Sequence, residues 1–174
     1  MKPRSTIALT GLLLATSALA ADNDLDALLK SGPVTAAVPL PDPAHVPIVF
    51  GKDIPWKDGN GSRQALLFGD PNKSGIYGVL IEWLPGHYSH PHFHSTDRYA
   101  YVVSGTWWVA SGEKFDPENT VPVQAGGFVR RVARTPHFDG CKKTDKEPVV
   151  IAICGVGPIK FHKVDESQSS WIAL

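Results

Sequence analysis

A cluster of histidines is the part of the sequence most able to do chemistry. Four of the seven histidines lie within one short segment, at His87, His90, His92 and His94. If this segment is extended, residues two apart share a face, so His90, His92 and His94 point in the same direction. Imidazole is the commonest metal ligand near neutral pH. The spacing therefore predicts a metal site, and a solvated histidine loop remains the alternative.

Candidate catalytic residues follow directly, at Arg98 and Tyr101. On a strand these two side chains point to opposite faces, so only one of them can face inward unless a bulge intervenes. If Arg98 faces inward, Tyr101 packs on the outer face. The pair Trp107 and Trp108 is divided in the same way, and the outer indole either packs against a neighbour or offers a sugar platform.

The segments around these residues are typical of short strands. They are rich in β-branched and aromatic residues, and groups of Gly, Pro, Asn and Asp separate them. The chain has 16 glycines and 15 prolines, which is too much punctuation for long helices. The pattern predicts an all-β fold, a jelly-roll β-barrel or sandwich, with strands at 64–68, 76–84, 99–103, 106–110, 128–132, 149–154 and 159–164.

The N-terminal segment predicts export. Lys2 and Arg4 precede an apolar stretch from Ile7 to Leu19, and the small residues at 18–20 form an A-x-A cleavage site. We expect a signal peptide at 1–20, a short helix and a proline-rich arm at 21–47, and one β-barrel domain at 48–174. The predicted location is the periplasm or the exterior, with no membrane association after cleavage. An uncleaved anchor helix is the alternative.

Charge and cysteine content exclude some classes and leave others open. Lys plus Arg equal Asp plus Glu at 17 each, which argues against a protein that binds nucleic acid through a basic field. Arg130, Arg131 and Arg134 form a local basic group that we expect on a solvated turn.

An exported chain favours a disulfide between its two cysteines, Cys141 and Cys154. However, their expected positions on neighbouring strands point them to opposite faces, so we predict two free thiols.

The histidine segment also resembles a known family, the cupins. Gly86-x5-His92-x-His94-x3-Arg98-x6-Gly105 is similar to the first cupin motif, G-x5-H-x-H-x3/4-E-x6-G, except at the acid. Residues 132–137 are partly similar to the second motif, with His137 in place, Val132 and Arg134 replacing Pro and Gly, and Cys141 at the Asn position. The resemblance implies a cupin barrel with a short N-terminal arm, in which His92, His94 and His137 converge on one divalent metal ion.

The arginine at the usual glutamate position leaves three interpretations open. Arg98 cannot ligate a metal ion and carries a fixed charge. In the first interpretation, three histidines bind the metal and Arg98 holds an anionic group of the substrate. In the second, Asp97 or His90 completes the coordination. In the third, the metal site is lost and Arg98 recruits an anion directly.

The functional expectation is a mononuclear-metal oxidoreductase, dioxygenase-like, that acts on a small anionic or polar substrate, with a carbohydrate-derived substrate as a narrower variant. Cu, Fe, Zn and Mn all suit three neutral imidazoles, so the metal is not resolved. Isomerase, lyase and hydrolase activities remain open, because a fold does not determine chemistry. The alternative is a non-catalytic periplasmic protein that binds or senses a metal or small ligand. The partner is a small molecule, and a homodimer is possible.

Overall fold

Short strands form almost all of the regular structure. A computed structural model describes residues 48–174, and the predicted signal peptide, helix and proline-rich arm lie outside them. The described residues contain thirteen strands: β1 (Lys57–Asp58), β2 (Ser62–Phe68), β3 (Gly75–Trp83), β4 (His87–Ser89), β5 (His92–His94), β6 (Arg98–Ser104), β7 (Thr106–Ser111), β8 (Val121–Gln124), β9 (Phe128–Arg131), β10 (His137–Cys141), β11 (Val149–Gly157), β12 (Phe161–Lys163) and β13 (Trp171–Ala173). Two single-turn 3₁₀ helices, Gly51–Asp53 and Pro117–Asn119, complete them. Within 48–174 no helix has the length and apolar character needed to span a membrane.

The strands form two antiparallel sheets. The first sheet has the order β1-β2-β3-β11-β6-β9. The second has the order β12-β5-β10-β4-β13, and β7 pairs with both β10 and β8. The predicted all-β fold is confirmed.

Every second residue along each strand faces the space between the sheets. On β11, Val149, Ile151 and Ile153 are buried and face inward, while Cys154 and Val156 are exposed. On β6, Ala100 and Val102 are buried in the same core. This alternation is the sheet's period of two, and it decides which side chains can reach the interior.

One expected pairing is wrong. The prediction of two free thiols assumes that the segment after Cys141 turns back and places β11 beside β10. Instead β10 pairs with β4, β5 and β7, whereas β11 pairs with β3 and β6 in the other sheet. The loop between Cys141 and Val149 therefore crosses from one sheet to the other. Periodicity within a strand does not specify which partner the strand takes.

The two cysteines are free thiols in very different surroundings. Cys141 is fully buried in the core, and its Sγ lies 3.4 Å from Asp145 Oδ2. Burial raises the pKa of the Cys141 thiol to about 12, and the Asp145 carboxylate adds to the effect. Cys154 is exposed on the outer face of β11.

This difference predicts selective alkylation. In native protein at pH 8, iodoacetamide is expected to modify Cys154 and to react with Cys141 at least about 1,000-fold more slowly, because the thiolate is the nucleophile and Cys141 is neutral and buried. Intact mass and peptide mapping over time check the result. Denatured protein, in which both thiols should react alike, is the control. Comparable native rates at the two positions would contradict the assignment.

In the turn before β10, Arg134 adopts the left-handed backbone conformation that favours glycine. Among the described non-glycine residues only Arg134 has a positive φ, of 59°. Its backbone N–H donates to the His94 carbonyl oxygen at 2.8 Å, which ties the turn to β5. Arg134 stands where the second cupin motif has glycine, and the left-handed conformation explains that preference.

Replacing Arg134 with glycine should therefore stabilise the protein. We expect the free energy of unfolding to rise by about 1 kcal/mol, since glycine adopts the left-handed region without a Cβ clash. Chemical denaturation measures the change. Thr135→Gly, at the next residue of the same turn but without a positive φ, is the matched control and should destabilise. A loss of stability in Arg134→Gly would refute the strain.

Candidate metal centre and its cavity

Three buried histidines meet at the centre of the second sheet. His92 and His94 lie two residues apart on β5, and His137 of β10 stands directly opposite His92 in the ladder. One ring nitrogen from each of the three lies within 4.8 Å of those of the other two. All three side chains are at least nine-tenths buried. The structure therefore brings together the histidines that the cupin resemblance implied.

Two of these rings are oriented by a backbone carbonyl group two residues earlier in the chain. His92 Nδ1 lies 2.8 Å from the carbonyl oxygen of His90, and His137 Nδ1 lies 2.9 Å from that of Thr135. A carbonyl oxygen can only accept, so Nδ1 donates in both rings and Nε2 carries the lone pair. This arrangement, a ligand nitrogen whose partner nitrogen is fixed by a hydrogen bond, is typical of metal-binding histidines.

The protonation of the group also suits a metal ion. Burial lowers the pKa of all three histidines. The pKa of His137 falls to about 3, and nearby Arg131 contributes after burial. All three rings are therefore neutral at neutral pH, the form that coordinates. The donor set fits one divalent transition metal ion.

Arg98 is the inward-facing residue at the start of β6. Its Nη1 donates a hydrogen bond of 2.9 Å to His94 Nε2. Its Nε is buried without a hydrogen-bond partner among the described residues, as is the hydroxyl of Tyr77. The two side chains are neighbours across Gly155, which pairs with Tyr77 on one side and with Arg98 on the other. Burial lowers the pKa of Arg98, against the opposing effect of Tyr77.

A second arginine reaches the interior, and sequence reasoning missed it. Arg131 of β9 pairs with Arg98 in the ladder, so both guanidiniums face inward. Arg131 Nη2 lies 3.1 Å from Asp139 Oδ2, and its guanidinium carbon lies 4.9 Å from the Trp107 ring centre. Burial acts to raise the pKa of Asp139, but Arg131 opposes it and the pKa is lowered, so the carboxylate stays charged. The expectation of a solvated basic turn is wrong for Arg131. The available sequence signal was that Asp139 lies two residues from His137 on one strand and so shares its inward face. A carboxylate buried there needs a charged partner, and Arg131 is that partner.

These residues line one cavity of about 430 Å³ between the sheets. Its walls come from both sheets and are largely aromatic and aliphatic, including Tyr77, Val79, Ile81, Trp83, Trp107, Ile151, Ile153, Ile159, Phe161 and Trp171. The polar groups that converge on it are His92, His94, His137, Arg98, Arg131, Asp139, Gln64, Asn72, Ser89 and Ser170. An apolar cavity with a few convergent polar groups is the usual form of a small-molecule site.

Other residues proposed for the site lie elsewhere. Tyr101 is 51% exposed on the outer face of β6, which follows from Arg98 facing inward, so its assignment as a catalytic residue is not supported by its position. Asp97 accepts hydrogen bonds from the Arg130 side chain and the Ala133 N–H. His90 bonds the Ser169 carbonyl and lines a separate groove. The structure therefore does not support the interpretation in which Asp97 or His90 completes the coordination.

The two tryptophans divide as the strand period requires. Trp107 is buried at the cavity wall. Trp108 points outward, donates its indole N–H to Asp145 Oδ2 at 2.7 Å and packs under Lys142. Its face is therefore occupied by protein groups, which favours packing over a sugar platform.

Comparison with known proteins supports the fold. Neither the protein-family models nor the curated proteins gave a match. Among solved structures, the polyketide cyclase RemF from Streptomyces resistomycificus is 16% identical, with a TM-score of 0.53 over 66% of this chain and 84% of that one. An RmlC-like cupin protein from Ralstonia eutropha JMP134 is 19% identical, with a TM-score of 0.52 over 71% and 74% of the two chains.

At these identities the likeness concerns the fold and leaves the chemistry open. The two antiparallel sheets, the H-x-H pair on β5 and the third histidine opposite it on β10 agree with that likeness. Together these observations show that this chain has the cupin fold.

Proposed function

We propose that this protein is an exported mononuclear-metal oxidoreductase, dioxygen-dependent, that acts on a small anionic molecule. The observation that carries the proposal is the group of three neutral, buried histidines opening on a cavity that also holds an unpaired arginine. A divalent transition metal bound there would supply open coordination positions and redox chemistry. His92, His94 and His137 would hold the ion.

The acid–base inventory of the cavity favours chemistry centred on a metal. Asp139 is the only carboxylate among the described residues that line the cavity, and Arg131 holds it in a buried ion pair. A carboxylate held in this way is poorly placed to abstract a proton. This inventory argues against a lyase or isomerase that relies on a free Asp or Glu.

The charges of the cavity favour an anionic ligand. Arg98 and Arg131 both face inward, and Asp139 offsets only Arg131. With neutral histidines the cavity keeps one excess positive charge, on Arg98. A planar guanidinium presents several donors in a fork that matches a carboxylate. Arg98 would therefore bind and orient the carboxylate or oxyanion of the substrate.

Elemental analysis and oxygen uptake test the proposal. Protein purified without added metal is analysed, then stripped and reloaded separately with Fe(II), Cu(II), Zn(II) and Mn(II). We expect about one ion per chain and oxygen consumption with at least one member of a panel of small carboxylates. A protein that takes up none of these metals would refute the proposal.

A non-catalytic binding protein is the second candidate. The unpartnered donors Arg98 Nε and Tyr77 Oη favour it, since they suit a bound anion without any reaction. Tight binding of a carboxylate by the metal-loaded protein, with no turnover or oxygen uptake, would favour this candidate.

Fractionation of cells expressing the full chain, with N-terminal sequencing of the product, tests the proposed export and cleavage after residue 20.

A further inference from the structure

We infer that Arg98 and the metal ion compete for His94, so that a small anion paired with Arg98 strengthens metal binding. The inference rests on the metal site proposed above and concerns how that site is regulated. It follows from the hydrogen bond of 2.9 Å between Arg98 Nη1 and His94 Nε2. In this protein the arginine at the usual acid position cannot ligate a metal ion, and it also hydrogen-bonds the ring nitrogen of a proposed ligand, His94.

The competition holds whichever nitrogen of His94 binds the ion. A neutral imidazole has one N–H and one lone pair. The guanidinium can only donate, so the lone pair is on Nε2 and the proton on Nδ1. Coordination through Nε2 requires that lone pair, so the Arg98 bond must break. Coordination through Nδ1 moves the proton to Nε2, which can then no longer accept from Arg98. Either route displaces the guanidinium.

The structure places another polar group, the hydroxyl of Tyr77, next to the guanidinium that the metal ion would displace. Tyr77 lies beside Arg98 on the same inner face, and by distance and angle its buried hydroxyl makes no hydrogen bond to another described residue. Gly155 separates the two strands at this point, and a Cβ there would come within 2.6 Å of Tyr77 Oη. The missing side chain leaves room for the phenol and the guanidinium to meet over the sheet. A carboxylate bound by both would satisfy Tyr77 Oη and Arg98 Nε together.

Charge makes the coupling positive. A divalent cation entering beside an unpaired guanidinium in a buried cavity meets repulsion that water does not screen. Arg131 adds a neighbouring cation, and Asp139 offsets only one of the two. An anion bound to Arg98 removes both obstacles to metal binding. It neutralises the charge of the guanidinium, and it draws the guanidinium away from His94 Nε2. By linkage, the metal ion strengthens anion binding by the same factor.

The test compares the metal affinity of the wild-type protein with that of Arg98→Met. Dissociation constants for Zn²⁺ are measured against a chromophoric chelator, with and without acetate as the probe anion, and Co²⁺ absorption spectra report coordination. We expect Arg98→Met to bind Zn²⁺ about 10- to 100-fold more tightly without acetate, the range expected for removing a hydrogen bond from a charged group. Acetate should strengthen Zn²⁺ binding in the wild type and have little effect in Arg98→Met.

Arg130→Gln is the matched control, since Arg130 belongs to the neighbouring strand but pairs with Asp97 outside the cavity. It should behave as the wild type. If Arg98→Met does not fold, Arg98→Leu gives the same comparison, because leucine likewise has neither a charge nor a hydrogen-bond donor.

The outcomes separate this inference from the proposed function. Zn²⁺ binding in the wild type with equal or weaker affinity in Arg98→Met overturns the competition and leaves the metal site standing. An acetate effect that persists in Arg98→Met shows direct ligation of the anion to the metal and overturns the coupling through Arg98. No Zn²⁺ or Co²⁺ binding in either protein refutes the metal site itself.

Discussion

Replacing Asp139 with alanine is expected to lower the free energy of unfolding by about 3–5 kcal/mol, the range for removing one partner of a buried ion pair. Both side chains of the pair are about nine-tenths buried, and the Nη2–Oδ2 distance is 3.1 Å. Without the carboxylate, Arg131 remains as an uncompensated charge next to Arg98. Urea denaturation of the metal-free protein at neutral pH measures the loss.

The double variant Arg131→Met/Asp139→Leu controls for packing. Because it removes both charges and keeps apolar volume next to Trp107, it should recover much of the stability lost in the single variant. If the single and the double variants lose the same free energy, the loss does not come from an uncompensated charge on Arg131, and the ion-pair explanation is refuted.

Replacing His137 with alanine should abolish metal binding at stoichiometric concentrations. Changes in groups that only orient a metal ligand weaken affinity by 10- to 100-fold, so loss of a ligand should cost more than about 100-fold. Elemental analysis after dialysis, together with Zn²⁺ competition, measures the loss. Circular dichroism confirms that the variant is folded.

His162→Ala is the matched control for this prediction. His162 lies on β12, the strand next to β5 in the same sheet, and its ring stacks on Phe93 with ring centres 4.9 Å apart. It does not belong to the three-histidine group, so its variant should keep the metal affinity of the wild type. Full metal retention in His137→Ala would show that the ion binds elsewhere.

The inward direction of β6 shows how far periodicity carries a prediction. Alternation alone establishes that Arg98 and Tyr101 cannot share a face. It does not say which of them faces inward, because both faces of β6 carry aromatic or aliphatic residues. Packing of Ala100 and Val102 into the core decides that Arg98 faces the cavity and that Tyr101 is exposed.

The sequence by itself determined the features that depend on neighbouring residues. Strand segments, turns and the shared face of His92 and His94 follow from local composition and from a period of two. The motif spacing added His137 and the cupin barrel. Two free thiols were also expected, although the strand pairing behind that expectation was wrong.

Only the tertiary structure decided the contacts that give the cavity its character. His137 faces His92, Arg131 pairs with Asp139, and Arg98 holds the nitrogen of His94 that carries the lone pair. The contact between His137 and His92 depends on strand pairing and register. The two arginine contacts depend on which side chains the two sheets turn toward each other. Such relations join residues on different strands, and burial makes charge pairing obligatory there, whereas a local pattern is equally compatible with a solvated turn.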